Sequence, residues 1–146
     1  MHSLPAPLIR TAVCAAFILL AGAGRVDAAQ CSISATSVVF GTYNVFSAAP
    51  VDSTGTIVYY CNGGAKNLLI TVSKGQSPTF VPRQLGKANE TLSYNLFLDA
   101  ARTSVWGDLS SGTSGHIDAS PPNKLDVTVT VYGRIPPGQD VSAGSY

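Results

Sequence analysis

The sequence predicts an all-β protein, an antiparallel sandwich of short strands. Three observations carry that prediction. Apolar residues recur at every second position through several short runs, turn-forming residues separate the runs, and no window of about 11 residues or more holds a helical period. Composition agrees. Among 146 residues there are 14 Gly and 9 Pro, against one Met and a single Glu. Hydrophobic residues make up 45% and charged ones 12%, the reverse of a disordered chain. The 9 basic and 8 acidic residues are scattered. No basic stripe exists to neutralise phosphates, so no nucleic-acid partner is expected.

The elements follow in order. Residues 1–28 read as a cleaved secretory signal peptide. Arg10 supplies the positive start, residues 11–24 form an apolar stretch short for a bilayer span, and Val26-Asp27-Ala28 puts small residues at the cleavage site. Cleavage after Ala28 or Ala29 fits equally. Gln30 stands where a lipoprotein needs a small residue before its cysteine, so lipidation is discounted. Removing 28 of the 146 residues leaves 118, with seven basic and seven acidic side chains and two cysteines, Cys31 and Cys61. In an oxidising compartment a Cys31–Cys61 disulfide is the natural reading. Closing a loop of about 30 residues contributes roughly 3–4 kcal/mol in the chain-entropy model. Two free thiols or half of a metal site are the rival readings, and one mature histidine, His116, makes a poor zinc set.

Four alternating runs then read as half-buried strands. Ile57, Tyr59 and Cys61 form one inward set, Leu68, Ile70 and Val72 a second, Leu92, Tyr94, Leu96 and Leu98 a third, and Val127, Val129 and Val131 a fourth. Between them lie Asn62-Gly63-Gly64, residues 74–78, residues 110–115 and Pro121-Pro122-Asn123, all turn or loop compositions. No repeat or linker divides the chain.

Chemistry is sparse. Nucleophilic catalysis needs a nucleophile, a base and an orienting acid. His116 closes the loop run at residues 110–115, which reads as a solvated loop, and no Gly-x-Ser-x-Gly elbow is present. The carboxylates Asp52, Glu90, Asp99, Asp108, Asp118, Asp126 and Asp140 fall mainly at run edges and in loops, as turn formers or solvated charges do. The calcium pattern is absent around Asp108 and Asp118. No catalytic residue, metal ligand, cofactor or small-molecule substrate is expected. Phe46, Phe80 and Trp106 fall in predicted loops and are the candidate surface contacts, although loop aromatics also serve as lids on a sandwich.

Several spellings resemble one family. Cys31 followed by Phe40-Gly41-x-Tyr43, then Gly55-Thr56-Ile57-Val58-Tyr59-Tyr60-Cys61, resembles the opening of spore coat protein U (SCPU) domains. Leu92-x-Tyr94-Asn95-Leu96 with Asp99, then Val105-Trp106-Gly107-Asp108, then Tyr132-Gly133-Arg134-Ile135-Pro136 with Gln139, look like its later signatures. The ordered set covers about residues 31–146. The resemblance implies an incomplete immunoglobulin-like antiparallel β-sandwich without catalysis. It implies a subunit or tip adhesin of an archaic chaperone–usher pilus, or a coat component, secreted through the periplasm to the cell surface. The implied partners are a periplasmic chaperone, an outer-membrane usher and a neighbouring pilus subunit that supplies a donor strand. A secreted carbohydrate-binding sandwich outside any pilus is the alternative.

Two departures shape the expectation. Only Ala29 and Gln30 precede Cys31 after cleavage, where a pilus-body subunit carries a donor segment, so the tip is the expected position. Family domains continue past a Gly-x-Tyr with another alternating strand, and here Gly144-Ser145-Tyr146 is the last such spelling. A final core strand therefore reads as missing. Its three or four inward residues would contribute roughly 5–10 kcal/mol, against a usual margin of about 5–15 kcal/mol. The expected outcome is that residues 29–146 alone aggregate or melt without cooperativity. A calorimetric scan of the purified segment checks this, and a soluble monomer with a sharp transition overturns it.

Overall fold

The computed structural model describes residues 29–146. The signal-peptide reading of residues 1–28 lies outside them. Among the described residues seven strands form and no helix: β1 Gln30–Ala35, β2 Val51–Asn62, β3 Leu68–Ile70, β4 Arg83–Lys87, β5 Glu90–Phe97, β6 His116–Asp118 and β7 Asp126–Ile135. Five of them make one antiparallel sheet in the order β1-β2-β7-β5-β4, and β3 and β6 pair antiparallel as a second, smaller layer. This is an immunoglobulin-like all-β sandwich with unequal layers.

The long ladder sets the frame. β2 and β7 pair over ten positions, from Val51↔Ile135 to Tyr60↔Asp126. Gly55, Ile57, Tyr59 and Cys61 point inward from β2, and Val131, Gly133 and Ile135 from β7. Period two buries one side of each strand, as the alternating runs predicted. Cys31 and Cys61 face each other across β1 and β2 and are joined by a disulfide. After β2 the chain leaves the sheet through Gly63 and Gly64, whose φ of 70° and 68° are left-handed, and it enters β3 in the other layer.

Three strands and part of a fourth are not among the expected runs. β1 is exposed at every residue, so its inward Ile33 has no apolar signature to share with a core. β4 reads Arg-Gln-Leu-Gly-Lys and turns the charged Arg83 to the buried side. β6 is only three residues long. β2 begins at Val51, six residues before its apolar alternation.

Two buried side chains tie the layers together. Trp106 is fully buried; its Nε1 donates to the Ile70 carbonyl in β3, and its backbone N–H donates to Leu96 in β5. Arg83 is 1% exposed. Its Nη1 donates to Asn95 Oδ1 at 2.6 Å, its Nη2 to the carbonyls of Trp106 (2.6 Å) and Val72 (3.3 Å), and its Nε to Ser73 (3.2 Å). The guanidinium also lies 5.0 Å from the centre of the Phe80 ring. Burial pulls its pKa down, against smaller upward pulls from Tyr94 and Asp108. An unmade buried acceptor costs about 1–3 kcal/mol, and Arg83→Ala strands several at once. The expected loss is about 3 kcal/mol or more, with Arg83→Lys recovering only part of it. Urea unfolding of both variants, in whichever complex the chain is soluble, checks the order.

Candidate functional site

The unequal layers leave part of the large sheet's inner face uncovered. A groove of about 1340 Å³ runs along it. Its floor is apolar: Ile57, Leu85, Leu92, Leu96, Val131 and Ile135, with the Tyr94 ring beside them. One wall is residues 71–73, the continuation of β3. The other is the extended segment 36–45.

Two glycines seat that segment. A Cβ on Gly133 would come within 2.6 Å of Val38 and 2.8 Å of Phe40, and one on Gly55 within 2.8 Å of the Thr36 carbonyl. Val38 and Phe40 thus press into a notch between β2 and β7, and Phe40 meets Tyr94 edge-on with ring centres 5.9 Å apart. Among the described residues, 37–43 make no backbone–backbone hydrogen bond. The one backbone contact there is Ser53 Oγ donating to the Val39 carbonyl at 2.6 Å. The wall is an extended, unpaired edge beside an apolar trough.

Residues 141–146 line one part of the groove and are fastened to the β4–β5 hairpin. Glu90 accepts from Ser142 Oγ and N–H and from the Tyr146 hydroxyl, which lowers its pKa to about 2. Lys87 donates to Ser142 Oγ and to the Ala143 carbonyl. Just before this strap, the Gln139 side chain accepts from the Ser93 N–H at 2.6 Å and donates to the Ser93 carbonyl at 2.9 Å. One amide thus serves Ser93 of β5 as a strand neighbour would.

The predicted inward residues divide. Val72, Leu92, Tyr94, Leu96 and Val131 line the groove. Leu68, Ile70, Val127 and Val129 belong to the core away from it. Of the aromatic candidates, Phe46 is 94% exposed on a turn held by Asn44. Phe80 and Trp106 are buried at 7% and 0%, and their loop positions did not translate into exposure. Their backbones are bonded into the core by Asn95, which takes the Phe80 carbonyl, and by Arg83, which takes that of Trp106.

His116 corrects the solvated-loop expectation. It opens β6 opposite Ile70, packs 6.1 Å from Tyr59 and 6.3 Å from Trp106, and its buried Nε2 meets no partner among the described residues. Three of the carboxylates are committed to structural bonds. Asp52 takes Arg134 through both oxygens (2.7 and 2.8 Å) and Arg102 at 3.2 Å. Asp99 caps the N–H groups of Thr103 and Ser104, and Asp118 accepts from Tyr59 and Ser120. Among the described residues no three His, Cys, Asp or Glu side chains gather as a metal site would need.

The walls of the groove escaped the sequence reading. The available signals were the Val38-Val39-Phe40 triplet and the glycines inside two strand runs, which mark close backbone approach.

Comparison with known proteins adds two findings. The model of the Spore Coat Protein U domain matches residues 19–146. A curated protein named "Protein U" from Myxococcus xanthus is 35% identical over 120 residues, covering 73% of this chain. The chain spans 64% of that relative's length.

Tyr59 offers a check on the second layer. Its hydroxyl donates to Asp118 Oδ2 at 2.5 Å, and burial, then this bond and charge, push its pKa from 10.0 to about 12. The folded state therefore holds this proton more tightly than the unfolded chain. Stability present below pH 10 is lost as pH rises towards about 12. Stability measured across that window should fall in the wild type and fall less in Tyr59→Phe, and a phenolate titration should lose its late step in the variant.

Proposed function

The chain belongs to the spore coat protein U domain family, and from that membership we propose that it is a structural subunit of a secreted surface fibre or coat, completed by a β-strand from another chain. The family is one of coat and pilus proteins, structural rather than enzymatic. The observation that carries the finer reading is the groove. It combines an apolar floor, an unpaired backbone edge at residues 37–43, and a second layer of two short strands against a first of five. An exposed edge beside an apolar trough is what strand addition uses: main-chain bonds give affinity and alternate side chains fill the trough.

Size supports a strand as the occupant. Strands lie about 4.8 Å apart, layers about 10 Å apart, and each residue advances about 3.3 Å, so a residue of inserted strand occupies roughly 160 Å³. A groove of about 1340 Å³ takes about eight such residues. In this reading a periplasmic chaperone fills the groove during export and an outer-membrane usher exchanges it for a neighbouring subunit's strand. Head-to-tail addition of this kind gives an open filament.

The test is strand capture. The chain, co-purified with a chaperone from the same kind of system, is offered a ten-residue peptide of alternating apolar and polar residues. The peptide is expected to displace the chaperone and raise the melting temperature. Leu92→Asp on the floor should cut capture more than tenfold, and Thr130→Asp on the opposite face should leave it unchanged. Equal capture by the two variants, or a wild-type chain that takes no strand, overturns the reading.

A further inference from the structure

A second cleft, of about 690 Å³, lies outside the groove's floor. It runs between the β3–β4 connection (residues 74–82) and the turn at 108–111. We infer that this cleft binds a neutral saccharide.

Its shape is set before any ligand arrives. In one bank Ser77 N–H donates to the Lys74 carbonyl, the hydroxyls of Ser77 and Thr79 both donate to the Pro82 carbonyl, and Asn95 holds the Phe80 carbonyl from beneath. In the other, the Thr113 N–H and hydroxyl both donate to Ser110, and Asp108 Oδ1 accepts from the N–H and hydroxyl of Ser110. Turns fixed in this way lose little entropy when a ligand binds. The volume lies within the usual range for small-ligand sites, about 300–1,000 Å³.

The lining selects the ligand class. It carries one cation, Lys74, and one carboxylate, Asp108, so it has no net charge to favour an anion or a cation. Thr71, Ser73, Thr79 and Ser111 also line it, the Thr79 hydroxyl already donating to the Pro82 carbonyl. Both Ser110 bonds fall on Asp108 Oδ1, so among the described residues Oδ2 remains a free acceptor. Lys74 donates to the Pro78 carbonyl and keeps two further N–H donors. Pro78 and Val81, the latter 59% exposed, add an apolar strip. A sugar matches this set: hydroxyls that both donate and accept, no charge, and a C–H face for the strip. The aromatic residues singled out in the sequence play no part here, apart from Phe80, which lies beneath one bank.

The experiment uses the full secreted chain in its chaperone-bound or strand-completed state. Uncharged di- and trisaccharides (maltotriose, chitotriose, lactose, mannotriose) are titrated by saturation-transfer NMR and calorimetry. Sialyllactose and inorganic phosphate are the charged comparators. At least one uncharged sugar should bind with a sub-millimolar dissociation constant. Asp108→Ala should weaken it about tenfold or more, the loss of one hydrogen bond to a charged group. Lys74→Met should weaken it independently, in case the first variant disturbs its turn, and Phe46→Ala should leave it unchanged. The same sugar fixed to a bead tests whether a surface glycan is reached as well as a free one. No binding of uncharged sugars at millimolar concentration overturns the inference. So does binding indifferent to both cleft variants, or binding of the charged comparators alone. Strand capture measured on the same samples reports separately on the groove, so either result can fail without the other.

Discussion

A guanidinium that among the described residues bonds to no carboxylate ties the two layers together. Strands as short as β3 and β6 give too few ladder bonds to make an independent sheet. What fixes that layer is the set of acceptors turned towards Arg83: the carbonyls of Val72, Ser73 and Trp106 from one side and Asn95 from the other. Removing a charge from water is costly, and the cost is met here by four oriented acceptors and an aromatic face instead of an opposite charge. Trp106 fills the space beside it and repeats the pattern, with an indole N–H on β3 and a backbone N–H on β5.

That arrangement explains why the rest of the inner face can stay open. The layers are pinned where β3, β4, β5 and Trp106 meet, and beyond that point the large sheet extends without a complete cover. The segment at 36–45 lies over β2 and β7 only because two glycines leave room for Val38 and Phe40. Thr36 donates its N–H to the Thr56 carbonyl of β2, and beyond it the segment covers the sheet without joining it, since among the described residues 37–43 make no backbone–backbone hydrogen bond. The groove is what remains between this segment and the end of β3.

Much of the frame was legible from alternation alone. β7 and the apolar half of β2 follow the period-two runs with the expected residues inward, because both faces of those strands are chemically distinct, whereas in β5 the alternation is broken by Asn95, which is buried on Arg83. The cysteine pair was legible because so few cysteines remained to choose from. β4 was hidden because a satisfied buried arginine looks like a surface residue. β1 was hidden because an edge strand exposed on both faces has no pattern to show, and β6 because three residues cannot display a period. Trp106 and His116 sit in Gly- and Ser-rich spellings that read as loops, yet long-range bonds and packing draw both inward. The groove floor was partly visible in Leu92, Tyr94, Leu96 and Val131. Its walls were not, since irregular segments that dock by shape carry no periodic signal.

The cysteine pair also bears on how such a chain would carry tension. β1 is exposed at all six residues, so little beyond its ladder with β2 resists peeling. The cross-link lies one position from the strand's start, between Cys31 and Cys61. A pull entering at that end passes through covalent bonds into β2 and leaves the remaining β1 pairs slack. From β2 it is spread over the ten-position ladder with β7, whose bonds share it along the strand instead of opening one after another. Under such a pull the weakest-looking strand is bypassed, and the load falls on the longest ladder of the fold.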